Sequence, residues 1–139
     1  MLMLKKYKET ITRFLKKGLS PSEIAFAIAL GNFVGILPLV GLHTVVAIGL
    51  AHLLRLNVMI VFLGTQISNP LSFPFILFIS AQIGSLMLNG ALLKIQFTTD
   101  LAVLKSYIVP TIIGGILLGL AVSSVSYIVT LKIARRFRT

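Results

Sequence analysis

Apolar positions run through this chain in stretches too long for a soluble fold, and polar positions gather where the stretches stop. No Asp, Glu, Lys or Arg occurs from Ile24 to Leu54, and none occurs from Leu56 to Leu93. The first residues follow a different rule. Leu4, Tyr7, Ile11, Phe14 and Leu15 recur at helical spacing, with Lys5, Lys6, Lys8, Glu9, Arg13 and Lys16 on the other side. This predicts a basic amphipathic helix over residues 1–18, suited to lying on the inner leaflet of a membrane. Gly18 ends it. Ser20-Pro21-Ser22-Glu23 then reads as a helix start: Ser20 caps, Pro21 takes the first helical position and Glu23 closes a capping box. That helix is expected to run to about Ile36.

Residues 19–139 read as a single all-α membrane domain, a small polytopic bundle whose apolar segments are twice broken. Pro38 and Gly41 break the first segment, 21–54; Pro70 and Pro74 break the second, 57–88. The arm from Leu42 to Leu54 would be about 20 Å long as a helix, against about 30 Å for a bilayer core. Such arms suit half-helices or re-entrant pieces. Irregular backbone inside a bilayer is tolerated only where protein or a water-filled cavity satisfies it, and paired interruptions point to a binding site. Asn57 is a natural N-cap, and Asn57, Val61, Gly64 and Ser68 share one helical face that should point inward. Asn69 can cap the next helix, with Pro70 beginning it, and Pro74 just inside would bend that helix or displace its first turn. Residues 89–106 form the least apolar interior segment and the expected external loop, with a short interfacial helix near Asp100. Residues 107–133 make the one unbroken transmembrane helix. Gly31 with Gly35, and Gly115 with Gly119, are small-xxx-small pairs that permit close helix packing.

Composition agrees with the pattern. The chain has 139 residues, of which 57% are hydrophobic and 12% charged; a soluble domain is nearer a quarter charged. Mean hydropathy is +1.03. The net charge of +10 is concentrated at the ends. Lys5, Lys6, Lys8, Arg13, Lys16 and Lys17 precede Ser20, and Lys132, Arg135, Arg136 and Arg138 close the sequence. Both termini are therefore expected in the cytoplasm, with anionic headgroups at the cytoplasmic face as partners and no nucleic acid. The long charged start does not suit a cleavable signal peptide. With no cysteine, thiolate and disulfide chemistry are excluded.

Several of these residues form an ordered set. Ser20-Pro21 with Ala25 comes first. Gly31-x-Phe33-x-Gly35-x-x-Pro38-x-x-Gly41-x-His43-Thr44 follows, then Leu54-Arg55-Leu56-Asn57, then Gly64-Thr65-x-Ile67-Ser68-Asn69-Pro70. Together they resemble the bacterial membrane family catalogued as domain of unknown function two-zero-six-two. The resemblance covers roughly Leu19 to Leu88, and the last span fits it too. It implies a small bacterial inner-membrane protein, in longer chains sometimes joined to glycosyltransferase-type domains. It implies no activity.

Chemistry is sparse. The only acids are Glu9, Glu23 and Asp100, so paired-carboxylate catalysis and a Ser-His-Asp set lack their parts. His43 and His52 have no thiolate or carboxylate at metal-binding spacing. No nucleotide-type phosphate loop follows Gly31-x-x-x-Gly35. No catalytic residue, metal or cofactor is expected, and an enzyme built on His43 is the weakest reading. An intramembrane histidine is a functional candidate by default, but His43 equally suits a plain hydrogen-bonding role at the first break. The leading expectation is a homo-oligomeric transporter, or a translocase for lipid or lipid-linked substrates. Its candidate binding residues are Asn32, His43, Thr44, Gln66, Ser68 and Asn69, converging at the breaks, with Arg55 adding donors. The alternative is a membrane anchor or scaffold for an envelope-biosynthesis enzyme, in which the same residues only staple the breaks together. Self-association is expected partly through Gly115 and Gly119.

Overall fold

The computed structural model describes residues 2–16, 18–39, 42–94 and 99–136. All regular structure among them is helical: α1 (Leu2–Lys16), α2 (Pro21–Ile36), α3 (His43–Leu53), α4 (Val58–Thr65), α5 (Phe73–Asn89), α6 (Leu101–Ser106) and α7 (Ile108–Arg136). Lys17, Gly41 and Arg138 lie outside the described residues, as do the side chains of Tyr7, Ile11, Phe14, Leu15 and Lys16.

Local polar side chains set where helices begin. The Glu23 N–H donates to Ser20 Oγ at 3.2 Å, with Pro21 following the cap. Asn57 Oδ1 accepts the N–H groups of Met59 and Ile60 at 3.0 and 3.3 Å. Asp100 Oδ1 accepts the Ala102 N–H at 2.9 Å. Each bond satisfies a donor that the first helical turn leaves without a partner. Helix α3 ends differently. Arg55 takes a left-handed conformation, φ 58°, and the Leu56 N–H donates back to the Ala51 carbonyl at 2.8 Å. That is a Schellman-type stop, usually made with glycine; a side chain in that conformation costs about 1 kcal/mol.

Helix α5 takes one of the two outcomes open to Pro74, a displaced first turn. It starts at Phe73, not at Pro70, and Pro74 falls in its first turn. A start at Pro70 would have put Pro74 one turn inside the helix, without an N–H and against the carbonyl one turn back. Starting later places the proline where it is tolerated.

Glycine contacts fix the helix directions. A Cβ on Gly31 would stand 2.8 Å from the Gly64 Cα, and one on Gly35 would stand 3.2 Å from the Thr65 Cα. Helices α2 and α4 therefore run parallel, backbone against backbone. Helix α7 runs antiparallel to α2: Gly115 faces Pro38 and Ile36, Gly119 faces the Phe33 ring, and Ala134 joins the core around Ile24 and Ile28. Helix α5 is antiparallel to α7, with Gly114 against Ser80 and Gly84 against Pro110. The 29 residues of α7 extend about 43 Å and form the spine. α2, α3 and α4 cluster along its Arg136 half, where Ala47, Ala51 and Val61 complete the core, and α5 lies along its Ile108 half.

The glycine face of α7, expected to serve partly in self-association, is covered by α2 of the same chain. Gly115 and Gly119 are both buried there.

Candidate functional site

Five of the six candidate residues sit at or beside two junctions, 37–42 and 66–72. The first joins α2 to α3 and reverses the chain. Its described backbone bonds are short-range: the Leu39 N–H donates to the Leu37 carbonyl at 2.7 Å, and the Leu42 and His43 N–H groups donate to the Leu39 carbonyl at 2.9 and 3.1 Å. No side chain caps α3, whose first residue is His43. His43 and Thr44 are half-buried.

The second junction joins α4 to α5 without reversing the chain, and it is tied by its own side chains. Asn69 Oδ1 accepts the N–H groups of Leu71 and Ser72, both at 2.9 Å. Ser72 Oγ donates to the Ile67 carbonyl at 2.7 Å and accepts the Asn69 N–H at 3.0 Å. The Phe73 N–H donates to the Asn69 carbonyl at 2.8 Å. Gln66 turns back on its own helix, where Nε2 donates to the Phe62 carbonyl at 3.4 Å and to Thr65 Oγ1 at 3.3 Å. Gln66 and Asn69 are exposed and Ser68 is half-buried.

Asn32 is apart from these. It is buried, and its Nδ2 donates to Ser126 Oγ on α7. Among the described residues no hydrogen bond joins any two of Asn32, His43, Thr44, Gln66, Ser68 and Asn69. Gly35, three residues from Asn32, lies against Thr65 and Ile67, so the end of α2 and the end of α4 are neighbours. Arg55 does not contribute there. It is exposed in the α3–α4 turn, at the far end of α3 from His43, about 16 Å away along the axis.

Three features were missed in the sequence. Ser80 is buried at the α5–α7 contact, and its Oγ has no hydrogen-bond partner. Gln82 grips the backbone of Leu93 twice: Oε1 accepts the Leu93 N–H at 2.8 Å and Nε2 donates to the Leu93 carbonyl at 2.9 Å. Ser85 Oγ adds a bond to the Ala91 carbonyl at 2.8 Å. The spacing of Gln82 and Ser85, one turn apart in an otherwise apolar run, was the available signal. An open groove of about 220 Å³ lies between Pro38 and the α6–α7 elbow, lined by Leu104, Tyr107, Ile108, Thr111 and Ile112. None of the six candidate residues lines it. Among the described residues, no three His, Asp or Glu side chains gather as a metal site would require.

This is an all-helical protein in which one stretch, Leu101–Arg136, is long and apolar enough to cross a membrane. Pro21–Ile36, His43–Leu53 and Phe73–Asn89 are apolar but shorter. The chain belongs to a bacterial family described as "Uncharacterized protein conserved in bacteria (DUF2062)", whose model matches residues 4–139. No curated protein and no solved structure matches it.

Proposed function

We propose that the chain is a multi-pass protein of the bacterial inner membrane, and that it translocates lipids or lipid-linked anionic substrates at its two helix junctions. In this reading α2 and α3 form a re-entrant hairpin open to the cytoplasm, α4 and α5 make one broken crossing, and α7 returns. Both termini are cytoplasmic and residues 89–106 are external. The charge distribution supports the orientation. Lys132, Arg135 and Arg136 end α7, and Arg55 follows α3, whose Ala51 shares a core cluster with Ala134 of α7. The opposite end carries Lys94 and Lys105 with Asp100. A cysteine at Thr99 that labels only from the cytoplasmic side overturns this topology.

The observation that carries the translocase reading is the closeness of the two junctions: Gly35, at the end of α2 that leads into the first, lies against Thr65 and Ile67, which lead into the second. Two interrupted helices then meet within the apolar slab, where half-helix N-termini favour anionic groups. The test uses vesicles holding the purified protein and fluorescently labelled phosphatidylglycerol. Outward movement is read from reduction of the label by dithionite. Movement should exceed that in protein-free vesicles and fall in His43→Ala while folded yield is kept. Equal rates with and without protein overturn the reading.

A second reading, a membrane scaffold for an envelope-biosynthesis enzyme, is favoured by one observation. The backbone donors of residues 66–72 are satisfied within the chain, those of Gln66, Ile67 and Ser68 by carbonyls of α4 and those of Asn69, Leu71 and Ser72 by the junction's own side chains. A junction closed in this way does not need a ligand to be stable.

A further inference from the structure

We infer that the Gln66–Ser72 junction is the seam of a homodimer, and that the polar centre of the protein is completed by the same residues of a second copy. The inference rests on the membrane reading above and adds the surface through which copies meet.

Depth is the first argument. Ser80 lies against Gly114, so Phe73, seven residues earlier on α5, is about 10 Å nearer the Arg136 end. That is level with Leu120 and Ala121, the middle of the apolar part of α7. The junction therefore lies near the centre of the slab, the depth at which unsatisfied polar groups cost most.

Its polar groups are nonetheless on the surface. Gln66, Asn69 and Pro70 are exposed, and Leu71 is 80% exposed. Asn69 Oδ1 holds two N–H groups, which fixes the amide so that Nδ2 points elsewhere, and no bond from Nδ2 or from Ser68 Oγ occurs among the described residues. The Asn69 side-chain amide thus stands at the surface with donors to spare, whereas the Asn69 carbonyl is already taken by the Phe73 N–H. The chain does not wall them off: α4 packs on α2 and α3, while α5 packs on α7. Lipid tails offer such groups no partner.

The identity of the cover follows from charge. All copies share one orientation because the basic residues gather at one end. The junction then sits at the same depth in every copy. A two-fold axis along the membrane normal brings amide against amide with no change of level, and the interface is isologous. An unrelated partner would need its own polar patch at that depth. On this arrangement the Asn69 Nδ2 of each copy donates across the axis to the partner's Gln66 side chain or junction carbonyls.

The test exploits the absence of cysteine. Leu71→Cys and Gln66→Cys are single exposed positions on the seam; Val45→Cys and Val125→Cys, 68% and 61% exposed on α3 and α7, are controls away from it. Each full-length variant is oxidised in native membranes with copper-phenanthroline and sized on a denaturing gel. The seam variants should form cross-linked dimers and the controls should remain monomers. Equal cross-linking at all four positions, no dimer at Leu71 or Gln66, or a Leu71 product with a different polypeptide each overturns the seam. Alkaline extraction of the same membranes separates the two proposals. A protein released by carbonate fails the membrane reading, whereas a retained protein without seam cross-links fails only this one.

Discussion

The two junctions solve the same local problem in opposite ways. At Leu37–Leu42 the chain turns back using backbone bonds, in an apolar sequence, with Pro38 laid against Gly115 of α7. At Gln66–Ser72 the chain keeps its direction, and Asn69 and Ser72 supply the bonds that the interrupted helix has lost. A reversal brings its own carbonyls and N–H groups face to face, so it needs little from side chains. A continuing break separates donors from acceptors along one line, so short polar side chains must bridge the gap. The first junction should therefore be held by packing and the second by hydrogen bonds.

The largest expected effect attacks the packed junction. Gly115→Leu would drive a side chain into Pro38, whose Cδ would already lie 3.2 Å from an added Cβ. A loss of about 3 kcal/mol is expected, read as lowered thermal stability in mild detergent. A wild-type melting temperature in Gly115→Leu would mean that Pro38 is not anchored on α7.

A smaller effect is expected at the bonded junction. Asn69→Ala strands the N–H groups of Leu71 and Ser72, at a cost of about 2 kcal/mol. Asn69→Asp keeps the acceptor and should retain more stability than Asn69→Ala. If the two variants melt together, the side-chain bridge is not what holds this break.

The smallest effect should come from His43→Ala. The His43 side chain makes no hydrogen bond among the described residues, and its backbone N–H bond to Leu39 survives the substitution, so the change should cost under about 1 kcal/mol. A loss matching that of Asn69→Ala would erase the contrast between the junctions.

The sequence disclosed these features unevenly. Ser20, Asn57 and Asp100 were legible as helix starts because a cap acts across three residues or fewer. The start of α5 was legible only as a choice, since two prolines four residues apart competed for one helical turn and local signals did not say which would yield. The bond from Asn32 to Ser126 spans 94 residues. No local signal encodes it, although Ser126 lies on the same helical face as Gly115 and Gly119. The site expectation failed to become a bonded cluster for that reason: caps report on neighbours in the chain, whereas convergence depends on how α2, α4 and α7 slide past one another. The glycine pairs were visible as packing signals, but periodicity does not say whether the partner helix belongs to the same chain.

The grip of Gln82 on Leu93 has a consequence for variation. It reads main-chain atoms only, the N–H and carbonyl of one residue, so it is indifferent to the side chain displayed there. Ser85 holds Ala91 in the same way, through its carbonyl. Chain leaving the bundle is thus moored by atoms that every amino acid supplies, save for the N–H that proline lacks. Position 93 can therefore change its side chain while its mooring on α5 stays intact.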